Sequence, residues 1–262
     1  MAYGDPREAL IAGYLETSLN DVIGEVSFVI WFCGCNLRCP YCQNFPMVIS
    51  DRALCHTVSL DGMIEKIEEA KPYIDYVQVT GGEPTLQEKQ LGYLYGKTKE
   101  IGINTSLDTN GTRPQVIEGF IKKGILDHVA MDIKAPLKPH KYAKASGISP
   151  NKALLIIEKI GESLEIVSKM EFVEIRTTYV PGIVDEKDIV EIADLLGSYL
   201  TKNRHYYIIQ QFIPNKNAPD PRYKTGGLVN IEQLKRIAYR IQDKVPNIAI
   251  RHIEGVEYIK TS

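Results

Sequence analysis

The chain has 262 residues, 44% of them hydrophobic and 24% charged, with a formal net charge of −2. That length allows one large domain or two small ones, and the near-neutral balance argues against a general nucleic-acid binder, which carries a basic excess. No apolar run nears the roughly 18 residues that span a bilayer, and the polar opening Met1-Ala2-Tyr3-Gly4-Asp5 is unlike a secretory signal. The expected location is therefore the cytoplasm, away from any membrane. There, clustered cysteines more often bind metal or do redox work than form disulfides.

In chain order, short apolar runs alternate with helical periods. Strands are predicted over 24–32, 74–80, 103–108, 127–133, 171–180, 205–212 and 247–253, several of them near-continuously apolar as in strands covered on both faces. A helix is predicted over 60–70 with Ser59 as its cap, and a capping box at Thr85-Leu86-Gln87-Glu88 predicts another. Further helices are predicted over 152–168, with Leu154, Ile157, Ile160 and Leu164 on the buried face, over 186–200 and over 231–245. Strand and helix alternate about six times before a last strand, which implies parallel strands joined by right-handed crossovers, in a doubly wound sheet or a barrel. No linker divides the chain, so a single domain over 1–262 is expected, with its core at about 24–212. The Pro-, Gly- and Asn-rich stretch 213–229 reads as a long loop, of the kind that is often functional or mobile.

In parallel α/β folds ligands bind at the carboxyl ends of the strands. The polar motifs of this chain all fall there. Cys33-Gly34-Cys35-Asn36-Leu37-Arg38-Cys39-Pro40-Tyr41-Cys42 follows the first predicted strand, and Gly81-Gly82-Glu83-Pro84 follows the second. Asp108-Thr109-Asn110-Gly111 ends the third and Asp132-Ile133-Lys134 the fourth, while Arg176 lies in the fifth. Cys35, Cys39 and Cys42, spaced C-x3-C-x2-C, can close around one face of a [4Fe–4S] cube and leave one iron open. A structural zinc held by Cys33, Cys35, Cys39 and Cys42 is the alternative, although zinc ribbons usually bring a second ligand pair from elsewhere. Cys33 is then expected to be a small buried thiol, and Cys55 an unpaired surface or core thiol.

The cysteine motif with its Gly-Gly-Glu-Pro partner resembles the radical S-adenosylmethionine (SAM) superfamily. The fold this implies is α/β, a partial (β/α)6 barrel of parallel strands covering nearly the whole chain. Gly34-Cys35-Asn36-Leu37-Arg38-Cys39-Pro40-Tyr41-Cys42-Gln43-Asn44 is similar to the motif of the glycyl-radical-enzyme activases. Leu107-Asp108-Thr109-Asn110-Gly111, Met131-Asp132-Ile133-Lys134 and Arg176 with Val180-Pro181-Gly182 match the pyruvate formate-lyase activase pattern in order. Within that branch the chain looks most like the activating proteins of anaerobic ribonucleoside-triphosphate reductase. Gln43 departs from the pattern, standing where the activases usually carry His.

The resemblance implies reductive cleavage of SAM to a 5′-deoxyadenosyl radical, with a reduced ferredoxin or flavodoxin as electron donor and a glycyl radical enzyme as partner. Cys35, Cys39 and Cys42 would hold the cluster. Gly81 and Gly82 would let backbone approach the ligand, Glu83 beside Pro84 would receive the SAM amino group, and Asn44 and Tyr41 would lie near the adenine or the cluster. Asp108, Thr109 and Asp132 would form a monovalent-cation site at the SAM carboxylate, or Asp108 and Thr109 would cap the following helix. Lys134 and Arg176 would add positive charge there, or pair with Asp108 or Asp132. Two other readings stay open: the same chemistry on another protein, a tRNA or a small molecule, and a zinc-binding protein without catalysis.

Overall fold

In the computed structural model, which describes residues 4–259, the chain forms two compact units. The first comprises residues up to Asn36, Asn44–Thr109 and Gln115–Ala130, and the second Leu37–Gln43, Asn110–Pro114 and Met131 onward.

In the first unit, β1 (Glu8–Ser18), β2 (Ser27–Phe32), β3 (His56–Ser59), β4 (Tyr76–Gly81), β5 (Asn104–Thr109) and most of β6 (His128–Asp132) alternate with α1 (Phe45–Val48), α2 (Leu60–Ala70), α3 (Glu88–Glu100) and α4 (Pro114–Lys122). β2, β4 and β5 pair in parallel, whereas β1 runs antiparallel between β2 and β3. β2 and β4 are buried along almost their whole length, in keeping with their mostly apolar and β-branched sequences. In the second unit, α5 (Pro139–Ser146), α6 (Pro150–Val167), β7 (Phe172–Tyr179), α7 (Glu186–Leu196), β8 (Arg204–Gln211), α8 (Ile231–Arg240), β9 (Asn247–His252) and β10 (Gly255–Ile259) follow in order. β7, β8 and β9 are parallel, and β10 turns back antiparallel on β9. The α/β class with parallel strands expected from the sequence is the one observed.

Each of the seven predicted strands is present, but β1, β3 and β10 were not predicted. β1 lacks a clean alternation. Gly13 interrupts it, its register with β2 shifts between Ile11 and Gly13, and Tyr14 and Leu15 are exposed. Tyr14 is nonetheless anchored, its ring stacked on Phe28 at 5.6 Å. The helices α1 and α5 also escaped prediction, and α4 is the helix expected to follow Asp108-Thr109, for which no bounds were predicted.

Three local expectations are corrected. Ser59 precedes α2 without a side-chain capping bond. The segment Pro84–Gln87 is a 3-10 turn capped by Glu83, so Thr85 does not open a capping box and α3 starts only at Glu88. In α6, which begins at Pro150 behind its Ser149 cap, Ile160 and Leu164 are buried as predicted, but the rest of the face is Ala153, Ile156 and Val167, and Leu154 is exposed. The other two predicted helices, α7 and α8, bury Ile189, Ile192, Ala193 and Leu196 and Leu234, Ile237 and Ala238 respectively; Asp185 closes a capping box on α7, and Asn230 caps α8.

Candidate active site

β2 delivers the chain to the cysteines. Cys33, fully buried at the end of this strand, donates its N–H to the Leu10 carbonyl at 2.9 Å and is disulfide-bonded to Cys55. Both residues were expected to be thiols, and the pairing corrects that: β3 and the turn before it bring Cys55 within a Cα separation of 6.2 Å. The disulfide removes the fourth thiol that a zinc site in this segment would need. Cys35, Cys39 and Cys42 remain outside any disulfide, Cys39 buried and the other two partly exposed. Among the described residues no three His, Cys, Asp or Glu side chains are already gathered to hold a metal ion. The donor set that remains is three thiols within eight residues of chain. That set fits a cube with one open iron rather than a closed four-ligand site.

The Gly-Gly-Glu-Pro segment packs against the start of this loop. Gly82 donates its N–H to the Phe32 carbonyl at 2.9 Å, and Glu83 donates to the Gly34 carbonyl at 2.7 Å. A Cβ on Gly82 would stand 2.1 Å from the Gly34 oxygen. One on Gly81, whose φ is +117°, would stand 2.2 Å from the Phe32 oxygen. Both positions therefore need glycine for close backbone approach. Asn44 spans the same turn by donating its side-chain amide to the Gly81 carbonyl at 3.2 Å.

Glu83 is fully buried. Its Oε1 accepts hydrogen bonds from the Thr85 N–H (3.2 Å), the Thr85 hydroxyl (2.5 Å) and the Thr109 hydroxyl (2.8 Å). Thr109 thus supports Glu83. Asp108 accepts from the Thr80 hydroxyl at 2.8 Å. Neither Asp108 nor Thr109 caps a helix, since α4 begins only at Pro114. Below them Ser106 bridges Gln78 at 3.1 Å and His128 at 2.8 Å, a buried polar row that the sequence reading did not pick out.

The second unit carries the other predicted residues. Lys134 pairs with Asp132, as one of the two sequence readings expected. Burial alone would lower the Lys134 pKa, but the charge of Asp132, followed by those of Cys39 and Tyr41, outweighs it and holds the ammonium well above its ordinary value. Burial pushes Cys39 up to about 11, against the pull of Lys134. Burial likewise raises Tyr41, whose enclosed hydroxyl has no partner among the described residues.

Arg176 has a partner that the sequence did not suggest. It forms a 2.6 Å ion pair with Glu174, two residues earlier on the same face of β7, and the fully buried Glu174 also meets Arg251 of β9 at 3.4 Å. Glu174 was missed because a lone carboxylate in an apolar strand carries no motif. The available signal was its spacing to Arg176, since i and i+2 share a strand face.

Comparison with known proteins agrees with this arrangement. Residues 29–196 match the family described as the radical SAM superfamily. A Methanocaldococcus jannaschii protein, provisionally described as a glycyl-radical enzyme activating enzyme, is 32% identical over 95% of this chain and 98% of its own length. The pyruvate formate-lyase-activating enzyme of Staphylococcus aureus is 30% identical over 72% of this chain and 77% of its own. Among solved structures, TYW1 with a lysine-pyruvate adduct superposes with a TM-score of 0.58 at 16% identity, covering 86% of this chain and 75% of that one. Streptococcus suis SuiB bound to S-adenosylmethionine gives 0.58 at 14% identity, covering 86% and 51%. These two likenesses concern the fold. The chain belongs to the radical SAM superfamily, whose members use a [4Fe–4S] cluster and S-adenosylmethionine, and within it to the glycyl-radical enzyme activating enzymes.

Proposed function

We propose that this enzyme generates the glycyl radical of an anaerobic ribonucleotide reductase, with reduced ferredoxin or flavodoxin as electron donor, in the cytoplasm. The bound cluster and SAM supply a one-electron cleavage of the sulfonium that gives methionine and a 5′-deoxyadenosyl radical, which takes one hydrogen atom from a glycine Cα. The observation that carries the cluster chemistry is the three-thiol set left after Cys33 and Cys55 pair, while the choice of partner rests on the sequence resemblance.

In this reading Cys35, Cys39 and Cys42 ligate the cluster. The Gly81-Gly82 backbone lies against the loop that carries them, and buried Glu83, aligned by Thr85 and Thr109, receives the SAM amino group. Asp108, Thr109 and Asp132 take the monovalent cation, and Lys134 and Arg176 supply positive charge toward the SAM carboxylate or the substrate. Tyr41 and Asn44 complete the cofactor-binding set beside Pro84. Acting on the substrate, the side chains orient groups and exclude water.

The test is anaerobic reconstitution with iron and sulfide, then SAM and dithionite, with 5′-deoxyadenosine quantified and the partner reductase examined by electron paramagnetic resonance. A glycyl signal that requires this protein and disappears with Cys39→Ala supports the reading. A colourless zinc protein producing no 5′-deoxyadenosine refutes the chemistry. SAM cleavage without a signal on the reductase refutes the partner.

A further inference from the structure

The loop after β8 is ordered and folded back on itself. Gln211 closes its base by donating a side-chain N–H to the Val229 carbonyl at 2.6 Å. Inside the loop, Asn215 donates its N–H to the Tyr223 carbonyl at 3.1 Å, and Asp220 caps the 3-10 turn Pro221–Tyr223. Ala218 and Tyr223 are buried although they lie in a segment rich in proline, glycine and asparagine.

The segment is tied to the part of the cysteine loop that lies in the same unit. The Asp220 N–H donates to the Pro40 carbonyl at 3.2 Å. The Gln43 side chain donates to the Ile213 carbonyl, also at 3.2 Å. The Tyr41 ring meets Tyr223 edge-on at 6.3 Å, and Tyr223 in turn meets Phe212 edge-on at 5.6 Å. The cysteine loop has a second anchor at the end of α5. There Arg38 donates its N–H to the Ser146 carbonyl at 2.9 Å, and the Cβ missing at Gly147 would lie 1.9 Å from the Arg38 carbonyl oxygen. Cys39 thus sits between anchored Arg38 and anchored Pro40, and Cys42 between anchored Tyr41 and anchored Gln43.

We propose that segment 213–224 is a strap that sets the positions of Cys39 and Cys42, with Tyr223 and Gln43 as positioning residues. This rests on the assignment of those cysteines as cluster ligands. Gln43 serves the strap through its amide, and a glutamine there can donate to a carbonyl without changing charge.

The test uses the full chain and has two readouts. In the first, reconstituted protein is challenged anaerobically with EDTA and the decay of the cluster's visible absorbance is followed. Tyr223→Ala is expected to lose the cluster about tenfold faster than the parent, Gln43→Ala about threefold faster, and Tyr223→Phe at the parental rate. Tyr239→Ala, which removes an exposed ring on α8, serves as control.

The second readout is iodoacetamide labelling of the metal-free protein. It scores Cys42 against Cys35, which the strap contacts do not flank. Tyr223→Ala and Gln43→Ala are expected to raise that ratio by similar factors. Parental decay and an unchanged labelling ratio in both variants overturn the proposal, and so does Tyr223→Phe behaving as Tyr223→Ala. A parent that takes up no cluster overturns the ligand assignment instead, and the labelling ratio then decides the strap by itself. Circular dichroism screens for loss of fold. If Tyr223→Ala fails to fold, Gln43→Ala decides by the same criteria.

Discussion

Replacing Gly82 by alanine tests the backbone contact on which the site is built. The new Cβ would lie 2.1 Å from the Gly34 oxygen, 2.7 Å from its carbon and 3.4 Å from the Cys35 Cβ. The closest neighbours are backbone atoms, so no rotamer change relieves the clash, and the two segments must separate by more than about an ångström. That separation lengthens the Glu83 N–H to Gly34 bond, now 2.7 Å. Overpacking costs about 1–3 kcal/mol and the weakened hydrogen bond about 1 kcal/mol more, so about 3 kcal/mol is expected. For a chain of this size that lowers Tm by roughly 6–12 °C. Cys35 follows Gly34 directly and moves with it, so iron bound after anaerobic reconstitution should fall as well. Differential scanning calorimetry and iron analysis check both effects. Gly96→Ala is the internal control: it makes the same chemical change inside α3, where nothing lies within 4 Å of the added carbon, and should stabilise by about 0.5–1 kcal/mol. A Gly82→Ala protein that melts with the parent and binds full iron would refute the close-approach argument.

Glu174→Ala leaves the Arg176 and Arg251 charges without their shared carboxylate and should cost about 3–5 kcal/mol in denaturant unfolding. The double variant Cys33→Ser/Cys55→Ser should keep full iron binding after reconstitution, whereas Cys39→Ala should lose it; parallel losses in the two would return Cys33 or Cys55 to the ligand set. Metal-free protein should lose stability in alkali. Burial raises folded Cys39 to about 11 from an ordinary 9.0, so the unfolded chain gives up its proton first as the pH rises. The Cys39 contribution is therefore complete below about pH 9 and falls by about 1.4 kcal/mol per unit between there and about pH 11. Chemical denaturation at pH 8 and pH 10.5 measures it, and bound metal should abolish the effect because a ligating thiolate carries no proton.

The parts of this molecule that were legible in the sequence are those where one residue type admits one use. β2 and β4 read as strands because a nearly continuous apolar run must be covered on both faces. The cysteine and Gly-Gly-Glu-Pro motifs read as a site because both fall at strand carboxyl ends. β1 was hidden because Gly13 and a register shift break its alternation, leaving Tyr14 and Leu15 outward. The face of α6 was read correctly at Ile160 and Leu164 but not at Leu154, because Leu154 and Leu155 are as apolar as the residues it buries. At the site, the motif positions could be named and so could one partner, Asp132 for Lys134, whereas several others could not. Arg176 turns to Glu174, Thr109 to Glu83, and Gln43 to a backbone carbonyl 170 residues away. A carbonyl is common to every residue, so such a bond leaves no mark in either segment. The loop 213–229 showed only its turn-forming composition for this reason, although its backbone groups meet the residues flanking Cys39 and Cys42. Substitutions in that loop should therefore act according to whether they remove a buried ring such as Tyr223 or reshape the backbone. A polar exchange at exposed Lys216 or Lys224, whose side chains take no part in these contacts, should leave cluster retention unchanged.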